Sequence, residues 1–285
     1  VQLTIGCQLV LRCDTTTPLL ALVHPHLSLR SQLVGAEQVV VDPGSRVDLL
    51  PDDWGNRWSR LLARGGLTSF SYTASILCPD SCDPVWPSTP ACPVEALPID
   101  TYPFLNPSPY CDTPQLMDLA WRTFAGIQPG WPLVQAICDW VHQQILFDYA
   151  ATEPHRTASQ TLAARAGVCR DFAHLAISLC RCLNIPARYC TGYLGYTGIP
   201  VGEAPVDFSA WFEAFLHDRW FVFDARHNMP RCGRVLIGRG RDAADVPFLR
   251  SFGEHCLESL EVITAQVEQT PSTVGTVTQG REESP

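Results

Sequence analysis

The sequence predicts an α+β fold: an N-terminal β-sandwich-like domain followed by a helix bundle packed on an antiparallel sheet. Three observations lead to it. Leu3, Ile5, Cys7, Leu9 and Leu11 alternate with mostly polar neighbours, as do Phe70, Tyr72, Ala74 and Ile76, which is the period of a half-buried strand. Further on, Phe172, Leu175, Ala176, Leu179 and Leu183 recur at three- and four-residue steps, the spacing of an amphipathic helix. Residues 210–216 and 219–224 are two β-prone runs separated by a short turn, as in a hairpin.

Taken in order, residues 1–100 form the β-rich domain, with Asp53-Trp54-Gly55-Asn56 as a turn between strands. Prolines and cysteines crowd residues 78–109, which marks an irregular linker at its end. The core domain spans 101–266. It opens with a helix at Thr113-Pro114, a capping residue followed by proline in the first turn. A second helix starts at Trp131-Pro132 and carries Val134, Ile137, Val141 and Ile145 on one face. The spacing of Trp121, Trp131 and Trp140 predicts core packing for all three. Asn184-Ile185-Pro186 ends the next helix, residues 185–193 turn into a strand, and a last strand covers 260–265. Residues 267–285 turn to Thr, Gln, Gly and Glu without an apolar period, which predicts a disordered tail.

The 285 residues are 46% hydrophobic, enough for one large domain or two ordinary ones. Twenty basic residues against 29 acidic ones argue against a nucleic-acid or anionic-membrane partner. No apolar stretch is long enough to cross a bilayer, and the first residues lack the pattern of a secretory signal, so a cytoplasmic location is expected. The thirteen cysteines are therefore expected as reduced thiols. Cys78 and Cys82, followed by Cys92 and Cys111, lack the second close pair of a zinc site; free loop thiols are the preferred reading, with a disulfide under oxidising conditions the alternative. No metal or cofactor is expected.

Cys169 lies in the first turn of the 169–183 helix, where unpaired N–H groups and the helix dipole favour thiolate. Gly167 before it is expected to let backbone approach a substrate carbonyl. The bland alternative is a small buried thiol like the other cysteines. The residues beyond the helix favour chemistry. The runs Gly167-Val168-Cys169-Arg170-Asp171-Phe172-Ala173, Ile185-Pro186-Ala187-Arg188-Tyr189, Ala210-Trp211-Phe212-Glu213 and Trp220-Phe221-Val222-Phe223-Asp224 stand in the order found in one enzyme superfamily. Over roughly residues 110–230 the chain resembles the transglutaminase-like superfamily of papain-type cysteine enzymes.

That resemblance implies a Cys-His-Asp arrangement, with Cys169 as nucleophile and Asp224 orienting the imidazole. The histidine that usually precedes the Ala-Trp pair is replaced by Ser209. Turning the hairpin at Leu216-His217 would set Ser209 opposite Asp224. The nearest replacement base is His227, which reaches the site only if the chain turns at Ala225-Arg226, and Asn228 and Pro230 favour such a turn. His174 reads as a core histidine and His217 as a solvent-facing hairpin residue. A narrower likeness, through residues 207–213, 223–228 and 238–246, is to a bacterial branch carrying the same serine, and at that level it extends over nearly the whole chain.

Arg231, Arg234, Arg239 and Arg241 come after the site. Either they bind a carboxylate or other anion, or they form a loop salted to Asp242 and Asp245. Two functions stay open. One is a thiol hydrolase or acyltransferase acting on a peptide or amide through a Cys169 thioester; the other is a catalytically degenerate domain that binds a peptide or protein. The sequence specifies neither the substrate nor the oligomeric state.

Overall fold

The computed structural model describes residues 1–195 and 207–267. The β-rich part starts with β1 (Gln2–Cys13), β2 (Thr17–Leu22), β3 (Leu33–Asp42), β4 (Asp48–Pro51), β5 (Arg57–Ala63) and β6 (Gly66–Leu77). Three helices come next, α1 (Thr113–Phe124), α2 (Trp131–Gln144) and α3 (Ala158–Ala164), with the short parallel pair β7 (Leu146–Phe147) and β8 (Ala166–Gly167) around α3. The chain continues with α4 (Cys169–Cys182), β9 (Ala187–Tyr193), β10 (Phe208–Leu216), β11 (Arg219–Phe223) and β12 (Val235–Gly240), then β13 (Leu249–Ser251) and β14 (His255–Gln266).

Three four-stranded sheets result, in the orders β14-β1-β6-β3, β13-β2-β5-β4 and β11-β10-β9-β12, with every pairing in them antiparallel. The alternation read in the sequence is what closes the first two over a shared core. Leu3, Ile5, Leu9 and Leu11 of β1 and Phe70, Tyr72 and Ile76 of β6 are buried with Leu19, Ala21, Leu61 and Ala63. A polar knot sits at the edge of this core: Glu37 accepts from Arg57 at 2.6 Å and from Tyr72 at 2.7 Å, and lies 3.0 Å from His24. Burial alone would raise the Glu37 carboxyl, but the hydrogen bonds from His24, Arg57 and Tyr72 pull it down to about 2.

The last two strands belong to the N-terminal layer, with β14 pairing β1 and β13 pairing β2. A boundary near residue 101 thus parts these strands from their partners, because sheet hydrogen bonds join residues far apart in sequence that local periodicity cannot pair. Two further links tie the layers. Tyr193, Val235 and Ile237 of the third sheet are buried in the N-terminal core. Asn56, fully buried at the end of the turn before β5, exchanges hydrogen bonds of 2.7 and 2.9 Å with the Arg239 backbone. The tail expected from residue 267 onward lies, past Val267, outside the described residues.

From Asp171 to Cys182 α4 is buried, against α1, α2, α3, β9 and β10. Phe172, Leu175, Ala176 and Leu179 meet Ala210, Phe212, Ala214 and Leu216 on one face of β10. Truncating Leu175 or Phe172 to alanine would cost about 2–5 kcal/mol and loosen the seat of Cys169. α2 starts at Trp131 as expected, and Val134, Ile137, Val141 and Ile145 are buried.

Four expectations are corrected. Trp121 is 47% exposed, since it lies on the outer face of α1 while Leu116, Ala120 and Phe124 take the inner one. The residue preceding α1 is Asp112 rather than Thr113, and its carboxylate serves another helix: it accepts from Thr157 Oγ1 at 2.9 Å and from the Ser159 N–H at 3.0 Å at the start of α3. The cysteines are not all reduced, for Cys82 is bonded to Cys232, 150 residues away. That bond pins the linker to the loop between β11 and β12, as do the hydrogen bonds to Asp83 from the Arg231 N–H and the Arg234 side chain. Finally, the hairpin pairs Leu216 with Arg219 and Phe212 with Phe223, which brings Asp224, just past β11, level with Trp211; Ser209 pairs with Gly192 of β9 instead. The turn is centred one residue later than Leu216-His217, because His217 takes φ +54 and the chain reverses over His217-Asp218.

Candidate active site

The site is assembled from the start of α4, the start of β10 and the turn after β11. Val168, in extended conformation, precedes the helix. The Asp171 carboxylate folds back and accepts its N–H at 2.9 Å, satisfying one of the donors that a helix start leaves open. Gly167 is required by this cap: a Cβ there would lie 2.6 Å from Asp171 Oδ2 and 2.8 Å from Asp171 Cβ. Its expected role in letting a substrate approach is thus replaced by an internal close contact. Cys169 is the first residue of the helix, so its N–H has no partner in the helical ladder.

The Cys169 thiol is partly exposed and packs against the main core. Its Sγ lies 3.9 Å from the carbonyl oxygen of Phe208, the first residue of β10. Burial pushes the thiol up to about 11, against the Arg226 charge and the Ala210 N–H, which both favour thiolate. Burial thus favours the protonated thiol at rest over the thiolate expected from the helix start.

The chain does turn after β11. Asp224 Oδ1 accepts the N–H groups of Arg226 at 3.0 Å and His227 at 2.9 Å, and the Asn228 N–H bonds the Asp224 carbonyl at 2.8 Å. Asn228, at φ +50, is held by α2: Gln135 donates to it at 2.9 Å, and it donates to Asp139 at 2.8 Å. This carries the His227 ring back over its own aspartate, with Nδ1 2.8 Å from Asp224 Oδ2. The second nitrogen, Nε2, is 3.1 Å from Arg226 Nη1. A guanidinium only donates, so Nε2 is the acceptor and the proton sits on Nδ1, facing the carboxylate. Burial lowers the His227 pKa despite the Asp224 charge, with Arg226 and Arg231 acting in the same direction as burial. The ring is neutral at neutral pH, with its Nε2 electron pair engaged by Arg226.

Asp224 is itself buried and also accepts from Arg234 Nη2 at 2.8 Å. Burial would raise its carboxyl, yet the Arg234 charge and the bonds from His227 hold it well below the usual carboxylate range. Ser209 is 5% exposed, and its hydroxyl has no hydrogen-bond partner among the described residues. His174 is fully buried one turn beyond Cys169, where it stacks on Tyr110 and accepts the Ala243 N–H at 3.1 Å. His217 is exposed on the hairpin turn.

The structure thus joins Asp224 to His227 but leaves Cys169 bonded to neither. What the thiol and the imidazole share is Arg226, whose guanidinium lies 3.9 Å above the Phe147 ring, hydrogen-bonds His227 and favours the Cys169 thiolate. Sequence reasoning missed Arg226, and it missed Arg234 as the partner of Asp224. Their signal was the charge density of Asp224-Ala225-Arg226-His227 and of the arginines after it, which spacing alone cannot pair. Among the described residues no cluster of three or more His, Cys, Asp or Glu side chains is placed to hold a metal ion.

Residues 118–225 match the Transglutaminase-like superfamily, a stretch that contains Cys169, Ser209 and Asp224 and stops short of His227. Uncharacterized proteins of Mycobacterium tuberculosis and Mycobacterium leprae are similar to part of the chain, 33% identical across 135 residues and 30% identical across 120 residues. The alignments cover 43% and 41% of this chain and 43% of each relative, so the chain spans less than half the length of these curated relatives. The crystal structure of a "putative cysteine protease" from Cytophaga hutchinsonii is similar throughout: 32% identity, a TM-score of 0.82, and coverage of 94% of this chain and 91% of that one. With the fold, the order of motifs and this whole-length likeness in agreement, the chain belongs to the transglutaminase-like superfamily.

Proposed function

We propose that this protein is a cysteine-dependent hydrolase or acyltransferase acting on a peptide or amide. Cys169 Sγ attacks the substrate carbonyl and His227 Nε2 takes the thiol proton. The C–N bond then breaks, the leaving amine receives that proton, and the acyl group stays on sulfur as a thioester. Water or an amine next attacks the thioester, loses its proton to His227 and releases Cys169 as the thiol. Asp224 holds the imidazole in the tautomer that leaves Nε2 basic, and the Cys169 N–H at the helix start is placed to meet the developing oxyanion.

The observation that carries this reading is the 2.8 Å bond between His227 Nδ1 and Asp224 Oδ2, made by a turn that bends the histidine back onto the carboxylate. It supplies the base that Ser209 cannot supply, which supports reading Ser209 as standing where histidine usually precedes the Ala-Trp pair in the superfamily. The name given to the Cytophaga hutchinsonii protein points the same way. Before the proton moves, Arg226 must release His227 Nε2, a rearrangement that substrate binding drives.

A second reading, a degenerate domain that binds peptide or protein without turnover, is favoured by the thiol's position at the Phe208 carbonyl and its raised pKa. p-Nitrophenyl acetate separates the two. The enzyme reading expects nitrophenolate release with an acetyl group on Cys169, located by peptide mass spectrometry and absent in Cys169→Ala. Acetylation spread over several thiols, or unchanged release by Cys169→Ala, supports the binding module.

A further inference from the structure

Arg226 stands between the thiol and the imidazole of the candidate site. Its Nη1 donates to His227 Nε2 at 3.1 Å, its guanidinium lies 3.9 Å above the Phe147 ring, and its charge acts on the Cys169 thiol. Arg226, Phe147 and Cys169 are all half-buried, at the rim of the core rather than inside it. The stack on Phe147 holds the guanidinium without using any of its N–H donors.

Two nitrogens of this side chain are left over. Nε and Nη2 bond no described residue, and neither is among the buried unpaired atoms, so both keep contact with solvent. In this they differ from the unpaired nitrogens of Arg231, Arg234 and Arg239, which are sealed from it. The charges behind the site are already matched, Asp224 with Arg234 and Arg234 with Asp83. Arg226 makes no ion pair among the described residues. Burial raises the Asp207 carboxyl against the opposing Arg226 charge, and its Oδ1 accepts the Phe208 N–H at 2.6 Å. With that carboxylate in place, Arg226 still rests on the histidine.

Freeing His227 Nε2 therefore requires an acceptor from outside that outcompetes a neutral imidazole. A carboxylate does so, being charged and having two oxygens that fit a guanidinium fork, whereas an amide carbonyl is a neutral acceptor without that advantage. Resting on the reading of Cys169 as nucleophile and His227 as base, we propose that the substrate carries a carboxylate beside the scissile carbonyl and that Arg226 leaves His227 to bind it. Binding of an acidic substrate thereby uncovers the base, while a neutral amide meets a histidine that is still held. The carboxylate is that of an acidic side chain or of a chain terminus.

Alkylation of Cys169 in the full chain by iodoacetate and by iodoacetamide, a charged and a neutral reagent of nearly the same shape, tests this by peptide mass spectrometry. The quantity read is the iodoacetate-to-iodoacetamide rate ratio at Cys169 divided by the same ratio for 2-mercaptoethanol. It is expected to reach at least about ten, to fall to about one in Arg226→Gln, and to be kept in part by Arg226→Lys, which retains the charge but not the fork. Should neither variant fold, sodium chloride replaces them, and the ratio falls as salt screens the half-buried charge. Acetyl-Ala-Ala-Ala with a free C-terminus, acetyl-Ala-Glu-Ala amide and the neutral acetyl-Ala-Ala-Ala amide then compete with iodoacetate. Protection by the first assigns a chain terminus, and protection by the second an acidic side chain. A ratio of about one in the unaltered protein, a ratio unchanged in folded Arg226→Gln or by salt, or acidic peptides that protect no better than the neutral one overturn the proposal. None of these readouts requires turnover. Failure here with Cys169 still acetylated by p-nitrophenyl acetate removes the carboxylate site alone, whereas absence of that acetylation removes the enzyme reading on which it rests.

Discussion

His227 and Asp224 are three residues apart, and the turn between them sets imidazole Nδ1 2.8 Å from carboxylate Oδ2 while the same aspartate accepts both backbone N–H groups of the turn. The aspartate thus builds the loop that delivers its own histidine. In the proposed mechanism Asp224 has two separable roles, folding the turn and fixing the tautomer.

Asp224→Asn separates them. An asparagine retains an oxygen for the turn but offers no charge to the imidazole and allows the wrong tautomer. Acetylation of Cys169 by p-nitrophenyl acetate is expected to slow by about 10²–10⁴-fold, with the far-ultraviolet dichroism unchanged. A loss of less than three-fold would show that Asp224 only shapes the loop.

The same variant has a pH signature in stability. The folded-state pKa of Asp224 is depressed, so the stabilisation it contributes is fully present above its unfolded value near 3.9 and is lost as pH falls through the folded value. Urea unfolding should therefore show Asp224→Asn strongly destabilised at pH 6, with the gap to the unaltered protein narrowing below about pH 4. A gap independent of pH would contradict the charge-based origin.

Arg234 links the buried Asp224 to Asp83 of the linker. Arg234→Met leaves the Asp224 charge buried with no guanidinium beside it, and a loss of about 3–5 kcal/mol in urea unfolding is expected. A loss under about 1 kcal/mol would mean that the His227 and backbone N–H bonds alone sustain the carboxylate.

The Ser209 hydroxyl has no hydrogen-bond partner among the described residues. Ser209→Ala should change stability by no more than about 0.5 kcal/mol and leave Cys169 acetylation unaltered. A marked fall in acetylation would assign the hydroxyl a part in the chemistry.

Much of this arrangement was legible in the sequence because it is local. The alternation in β1 and β6, the helical steps of α4 and the placement of Cys169 at its start derive from periodicity and capping. The turn that brings His227 to Asp224 was signalled by Asn228, which takes positive φ as asparagine tolerates. What could not be read depends on partners distant in the chain. The return of β14 to β1, the bond from Cys82 to Cys232 and the pairing of Arg234 with Asp83 all join residues more than 140 positions apart. The raised pKa of the thiol has the same origin: a helix start is visible in sequence, but burial of Cys169 arises from tertiary packing.

The central claim is that His227 serves Cys169 as its base, and the pH dependence of Cys169 alkylation by iodoacetamide, resolved by peptide mass spectrometry, tests it most directly. In the unaltered protein the rate should rise through an acid limb at or below the ordinary histidine pKa of about 6.5, because burial keeps His227 neutral above it. In His227→Ala that limb should vanish, leaving a rate that climbs only with ionisation of the thiol toward about 11. Superimposable profiles for the two proteins, both climbing only toward the thiol value, would contradict the account.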